Sequence, residues 1–328
     1  MARVKPARNA NRARTPTAQG KLYMNNFMAL LVNDSTFGLP VPLAAVFIAA
    51  LGAIIGSFLN VVIFRLPREE SIVFPNSRCP QCSTAIHAYD NIPVLSYLIL
   101  RGRCRKCSAP ISARYPAVEA LCGLLFAAVF LHDVFVRGGP TPALAFDLAL
   151  VSAIVALIFI DAEHMILPNA ITYPGIVFAL VARLLLPFLM GVNAFDELSS
   201  LSRVSVLAGW PVWAVSLVGA VLGALAGGGS LWFMGWLWEK LRGVEAMGLG
   251  DVKMMFMVGA YLGWRLSVLT IFLGVVTASL TGIFLMLKRG ERNMQMLLPF
   301  GIFLGIGSII ALLVGARIIS WYAGQFVP

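Results

Sequence analysis

Charge is what this chain of 328 residues has least of: only 12% of its residues are Asp, Glu, Lys or Arg. Soluble domains carry about 25%, and with 59% hydrophobic residues the shortage excludes an ordinary water-soluble fold. Histidine is nearly missing, with three in all, and no HExxH spacing occurs, which argues against a zinc-hydrolase helix. There is no Ser/His/Asp elbow and no phosphate loop. No tandem repeat of fixed period is present. The net charge of +10 suggests nucleic acid at first sight. Its basic residues, however, sit in a few segments between apolar runs, without interleaved stacking residues. That distribution is the one expected of orientation signals, and nucleic-acid binding is set aside.

What remains is a polytopic membrane protein. Counting roughly 20 residues per span, the apolar runs predict about eight transmembrane helices, near 41–64, 116–136, 143–160, 170–190, 211–237, 251–264, 266–287 and 299–323. The fifth is interrupted by Gly227-Gly228-Gly229, a break or close-packing site. The sixth is short, as a segment starting at a water-filled cleft would be. The expected organisation is a basic N-terminal extension over 1–40, a first span over 41–64, a soluble loop domain over 65–115 and a transmembrane core over 116–328. Residues 1–21 carry Arg3, Lys5, Arg8, Arg12, Arg14 and Lys21 with no acid and read as a disordered tail. No small-residue cleavage site follows an apolar core there.

Basic residues set the orientation. The 65–115 loop holds Arg65, Arg68, Arg78, Arg101, Arg103, Arg105, Lys106 and Arg114, and the loops near 238–250 and 288–298 add Lys240, Arg242, Lys288, Arg289 and Arg292. These loops share one side by parity, and the positive-inside rule makes it cytoplasmic. The basic tail then falls outside, a conflict that an extra spanning or re-entrant element near 22–40 would remove.

Two carboxylates stand out. Asp251 lies between glycines in Gly248-Leu249-Gly250-Asp251-Val252-Lys253, where a helix would enter the bilayer. An ionisable group at such depth marks function, although an interfacial Asp also serves as a plain helix cap. Asp161 ends the third span. Two complete spans separate it from Asp251, so both lie on one membrane face whatever the orientation. Two carboxylates in one site hold a single proton between them, the arrangement of an aspartic-protease dyad. The flanking glycines admit a substrate or a neighbouring helix close to the backbone. Lys253 is expected to snorkel to the interface, Asp133 and Asp147 to be interfacial, and Glu119 to cap its span or take part in function. Trp232, Trp236 and Trp238 read as an interface belt.

The soluble loop contains Cys79-Pro80-Gln81-Cys82 and Cys104-Arg105-Lys106-Cys107. Paired CxxC knuckles are a strong zinc signature, and four thiolates close a tetrahedron, so the Zn2+ would be structural. A reducing compartment makes disulfides or redox thiols the weaker alternatives. Metal binding would also supply folding free energy to a loop too small for a core. His87 has no ligand role left and is expected to be solvated. Cys122, inside a span, reads as a small buried apolar residue.

Longer motifs carry a resemblance. They are Gly56-Ser57-Phe58-Leu59-Asn60, the two knuckles, Arg114-Tyr115-Pro116-Ala117-Val118-Glu119, Asp161-Ala162-Glu163-His164-Met165-Ile166-Leu167-Pro168, the run at 248–253 and Pro299-Phe300-Gly301. In that order, over residues 52 to 310, the chain resembles the type IV prepilin peptidases. The resemblance implies an all-α, multi-pass protein of the bacterial cytoplasmic (inner) membrane. Its active site would lie on the cytoplasmic face, and its partners would be prepilin or pseudopilin substrates and membrane lipid. The implied reaction is removal of a short basic leader just before a residue that is usually Phe, in many members followed by methylation of the new N-terminus with S-adenosylmethionine. Carried over by motif, Asp161 and Asp251 are the catalytic aspartates, and Cys79, Cys82, Cys104 and Cys107 the zinc-type cysteines. No methyl-donor contacts can be named, and homo-oligomerisation is left open. The chain departs from the family pattern in its basic extension over 1–40, in Asn169, where many members have Asp, and in a long outer segment over 191–210. Two other classes compete: a non-catalytic scaffold or transporter with a zinc-ribbon docking loop, and a GxGD protease cutting other membrane substrates.

Overall fold

A computed structural model describes residues 35–36, 38–74, 77–195, 197–244, 247–289 and 299–326. The basic tail, the 22–32 apolar stretch and Arg292 lie outside the described residues. The chain divides into a unit of residues Met1–Phe47 and a unit of residues Ile48–Pro328. The first contains a short antiparallel hairpin, β1 (Ser35–Thr36) and β2 (Leu39–Pro40), with Ser35 opposite Pro40 and Thr36 opposite Leu39.

Most of the other described residues are helical. The helices are α1 (Val41–Arg65), α2 (Leu95–Ile99), α3 (Arg114–Val136), α4 (Ala143–His164), α5 (Asn169–Met190), α6 (Leu198–Leu201), α7 (Val212–Ala224), α8 (Ser230–Arg242), α9 (Leu249–Leu262), α10 (Trp264–Arg289) and α11 (Phe300–Phe326). All eight apolar runs read from the sequence form helices. Seven helical segments among the described residues are long and apolar enough to cross a membrane, one of them running from α7 through α8 as Val212–Arg242. The sixth run, α9, has only 14 residues, about 21 Å at 1.5 Å per residue, short of the hydrocarbon thickness of about 30 Å.

The short helix is the centre of the larger unit. From Met254 to Leu262 only Phe256 escapes full burial, as expected of a helix that is apolar on every side. It packs on α5, α7, α8, α10 and α11. Small residues let the backbones meet: a Cβ at Gly223 of α7 would lie 2.1 Å from the carbonyl oxygen of Gly259 in α9. Side-chain-free crossings of this kind supply the close packing that holds helices together where lipid removes the hydrophobic drive. The Gly227-Gly228-Gly229 run forms a π-helical turn over Leu225–Gly229 between α7 and α8, so the interruption read from the sequence is a bulge and the chain continues helical through it.

Candidate active site

Asp161 sits one turn before the end of α4. That helix stops at Met165, whose left-handed backbone (φ 53°) lets its N–H return to the carbonyl of Asp161 at 2.9 Å. Such an αL residue is a usual helix terminator. Ile166-Leu167-Pro168 then turns the chain, and the fixed φ of Pro168 starts α5.

Asp251 comes from the first turn of α9. Gly248, extended at φ −67° and ψ 135°, precedes the helix, and its carbonyl accepts the Asp251 N–H at 3.1 Å. The carboxylate of Asp251 makes no hydrogen bond among the described residues. It therefore does not act as a cap. Gly250 has a packing role, because a Cβ there would stand 2.9 Å from the Cβ of Leu167. The glycine thus lets the loop following Asp161 lie against the start of the helix carrying Asp251.

The two carboxylates converge on a third element. At the N-terminus of α11 the Ile302 N–H donates to Asp161 Oδ2 at 3.2 Å. A Cβ on Gly301 would lie 2.7 Å from that same oxygen and 3.1 Å from Asp251 Oδ1. The two oxygens are therefore no further apart than the sum of those lengths, a span that one bridging water covers. Both side chains are buried, Asp161 at 5% and Asp251 at 9% exposure. Lys253, on the same helix, donates to Asn169 Oδ1 at 2.8 Å and lies over the Tyr173 ring. It braces α9 to α5, where the sequence suggested snorkelling. Glu163 is bonded by Arg114 of α3 and takes no part in a metal cluster among the described residues.

The opposite ends of the helices hold a second network. Asp133 and Asp147, expected at the interface, are buried within the bundle near the ends of their helices. Arg137 donates to both, at 3.0 and 2.6 Å, and Tyr261 of α9 donates to Asp147 at 2.7 Å. Beside this network Arg183 of α5 is fully buried and paired with Glu197 at 2.9 Å. Neither partner was singled out in the sequence. An arginine inside an apolar run was the available signal.

The four loop cysteines come together, their ligand atoms all within 4.8 Å of one another. Each knuckle is the same turn: Cys79 and Cys104 receive Ser83 and Ser108 N–H groups at 2.8 and 2.9 Å, and both serines have φ 56°. Cys79 and Cys107 Sγ are 3.8 Å apart, matching the edge of about 3.8 Å in a tetrahedron with metal–sulfur bonds of about 2.3 Å. The donor set fits zinc. The Thr84 hydroxyl 3.4 Å away is the chief cause that lowers the Cys82 thiol to about 6. His87 is exposed and stacks on Tyr89, and Cys122 is buried.

Comparison with known proteins adds the following. Residues 50–133 match the bacterial peptidase A24 N-terminal domain, and residues 148–283 match the type IV leader peptidase family. The chain is similar to a prepilin leader peptidase/N-methyltransferase of Aeromonas hydrophila, 39% identical over 325 residues, 92% of this chain and 100% of that protein. It is 37% identical over 290 residues to the protein of the same name from Pseudomonas putida, covering 82% of this chain and 90% of that one. Against that of Myxococcus xanthus it is 41% identical over 252 residues, 77% of this chain and 66% of the relative. No solved structure matches.

Proposed function

The chain belongs to the type IV leader peptidase family, and from that premise we propose that it removes the basic leader of prepilins or pseudopilins with Asp161 and Asp251 as an aspartic dyad. The observation that carries this reading is the convergence of both carboxylates on the space a Cβ at Gly301 would fill. Asp161, already held by the Ile302 amide, acts as the base that draws a proton from the bridging water. Asp251, with no hydrogen bond of its own, carries the shared proton to the scissile carbonyl. Water attacks the carbonyl carbon, the tetrahedral intermediate collapses, and the leaving amine takes its proton from the dyad. Burial keeps bulk water out of the site and strengthens both interactions.

The reaction lies on the cytoplasmic face in this reading. Support comes from the basic residues of the 65–115 loop, which by parity shares a side with both aspartates. Zn2+ would be held by Cys79, Cys82, Cys104 and Cys107 and would stabilise that loop without entering the chemistry. The names of the relatives also support N-methylation of the new N-terminal residue. S-adenosylmethionine, when bound, supplies the methyl group.

Co-expression of a prepilin with the wild type, Asp161→Asn or Asp251→Asn tests the dyad. Each variant accumulates in the membrane and leaves the leader in place. Full processing by either one overturns the assignment.

A further inference from the structure

The polar network at the ends of the helices away from the dyad takes no part in the chemistry above. Arg137, in the turn after α3, donates through Nη1 to Asp133 and to Asp147. Thr141 closes the same turn by donating its N–H and its hydroxyl to Asp133, the hydroxyl at 2.9 Å. Asp147 is thereby held by its Oδ2, while its Oδ1 accepts the Tyr261 hydroxyl. Buried ion pairs are a poor source of stability, because desolvation offsets their attraction. What this one fixes is geometry. The Tyr261 ring, stacked on Phe178 and met edge-on by Phe195, would pack as well without a hydroxyl, which needs a partner once buried.

The helices that the network joins are the two that carry the dyad. Asp147 and Asp161 both lie on α4, and Tyr261 and Asp251 both lie on α9. Along α4 the two aspartates are about 21 Å apart, and the helical repeat returns them to within about 40° of one face. Along α9 the separation is about 15 Å and the rotation about 80°. The helices run in opposite directions, so the dyad closes one end of the pair and the Tyr261–Asp147 bond the other. Little else joins them directly. Among the described residues this is the sole hydrogen bond between α4 and α9, and α9 packs mainly on α5, α7, α8, α10 and α11. The bond also borders a cavity of about 420 Å³, which Asp147, Tyr261, Arg137 and Leu266 line. On that side there is space where packing could have held the helices.

We propose that Tyr261 and Asp147 are positioning residues of the peptidase, their hydrogen bond setting the spacing and rotation of α4 against α9 and so the meeting of Asp161 with Asp251. The inference rests on the dyad reading and adds what keeps the two halves of the dyad in register across the bundle. Neither residue touches substrate. Each acts through the rigid helix it stands on, and rigid helices carry a displacement from one end to the other. Catalysis is sensitive to such movement, since about 1 Å of misplacement costs about a hundredfold in rate.

The test uses full-length enzyme in detergent, in excess over a prepilin. The dependence of single-turnover cleavage on enzyme concentration gives a rate at saturation and a half-saturating concentration. Tyr261→Phe and Asp147→Asn should each lower the saturated rate about tenfold and leave half-saturation within twofold. Because both break one bond, the double variant should be no slower than the slower single, whereas independent effects would multiply to about a hundredfold. Val129→Ala, at a buried position of α3 outside the network, should lower the melting temperature and keep the wild-type rate. A Tyr261→Phe enzyme that melts lower but cleaves like the wild type overturns the proposal. So does a loss confined to half-saturation, and so do losses that multiply. Should a single variant fail to accumulate, Arg137→Lys replaces it, keeping a cation between the two aspartates but losing the planar fork that orients Asp147. A fall in its saturated rate at unchanged half-saturation supports the tie, and a wild-type rate overturns it. Asp161→Asn and Asp251→Asn run alongside. If they cleave, the dyad reading itself fails. If they are inactive while Tyr261→Phe is fully active, only the tie fails.

Discussion

Gly301 stands where no other residue fits beside Asp161. A Cβ at that position would come within 2.7 Å of the Asp161 carboxylate oxygen and 3.1 Å of the nearer oxygen of Asp251. The absence of a side chain leaves space in which water or a scissile carbonyl can meet both groups. The N-terminus of α11 supplies a wall as well as a hydrogen-bond donor, the Ile302 amide.

Gly301→Ala should therefore slow leader cleavage while leaving the protein folded. Displacing a reacting group by about 1 Å costs about a hundredfold in rate, and the added methyl, 2.7 Å from the Asp161 oxygen, demands some tenths of an ångström, so a loss of roughly tenfold is expected. Single-turnover cleavage of a detergent-solubilised prepilin measures it. A variant within threefold of wild type would show that α11 is not a wall of the site. Melting temperature and membrane accumulation, both expected unchanged, separate the effect from misfolding.

The four thiolates should hold about one equivalent of zinc. Metal analysis of the purified protein reads the amount directly. Cys107→Ser removes a ligand and should both lower the metal content and open residues 65–115 to limited proteolysis, because metal binding is part of the folding free energy of such a loop. Metal-free protein with a protease-resistant loop would count against a structural zinc.

Much of this was legible in the chain itself, for identifiable reasons. The knuckles could be read because ligand spacing is local. Asp251 and Asp161 could be placed on one face because parity needs only a count of spans. The eight apolar runs marked the seven membrane-length helical segments and the short α9 because hydrophobic length is a one-dimensional signal. Contacts between residues far apart in sequence left no such trace. Gly301 was visible only as part of a motif, and nothing local says that its missing Cβ borders Asp161, 140 positions away. The burial of Asp133 and Asp147 was not legible, because depth in a span does not reveal which side of the helix faces the bundle. The long 191–210 segment had no evident purpose until Glu197 was seen reaching the end of α9.

The crossing of α7 and α9 should be intolerant of any side chain. At Gly223 a Cβ would meet the Gly259 carbonyl oxygen at 2.1 Å, and at Gly259 it would meet that of Gly223 at 2.2 Å. Backbone cannot yield as a flexible side chain does, so Gly223→Ala must push α9 away from α7. Overpacking of this kind costs about 1–3 kcal/mol. Lower thermal stability together with slower cleavage is expected, since the displaced helix carries Asp251. An alanine variant with wild-type melting would mean the helices cross further apart.

Arg183 and Glu197 should prove to be the far anchor of that same helix. Arg183 Nε donates to the carbonyls of Ala260 and Tyr261 at 2.9 and 3.1 Å, and Glu197 accepts the Trp264 N–H at 3.1 Å. The pair therefore satisfies groups at the end of α9 and the start of α10 that helix termini leave without partners. Breaking a buried pair from one side strands a charge and costs about 3–5 kcal/mol, whereas replacing both partners by apolar groups is often neutral. Arg183→Met and Glu197→Met should each lower the melting temperature sharply. The double variant Arg183→Met/Glu197→Met should recover part of the loss, and a thermal-melting double-mutant cycle measures the coupling. Because the anchor lies at the opposite end of α9 from Asp251, any surviving single variant should also cleave more slowly through a lower kcat at unchanged KM. Simple additivity of the two substitutions, with no coupling, would reduce the pair to two independent packing residues.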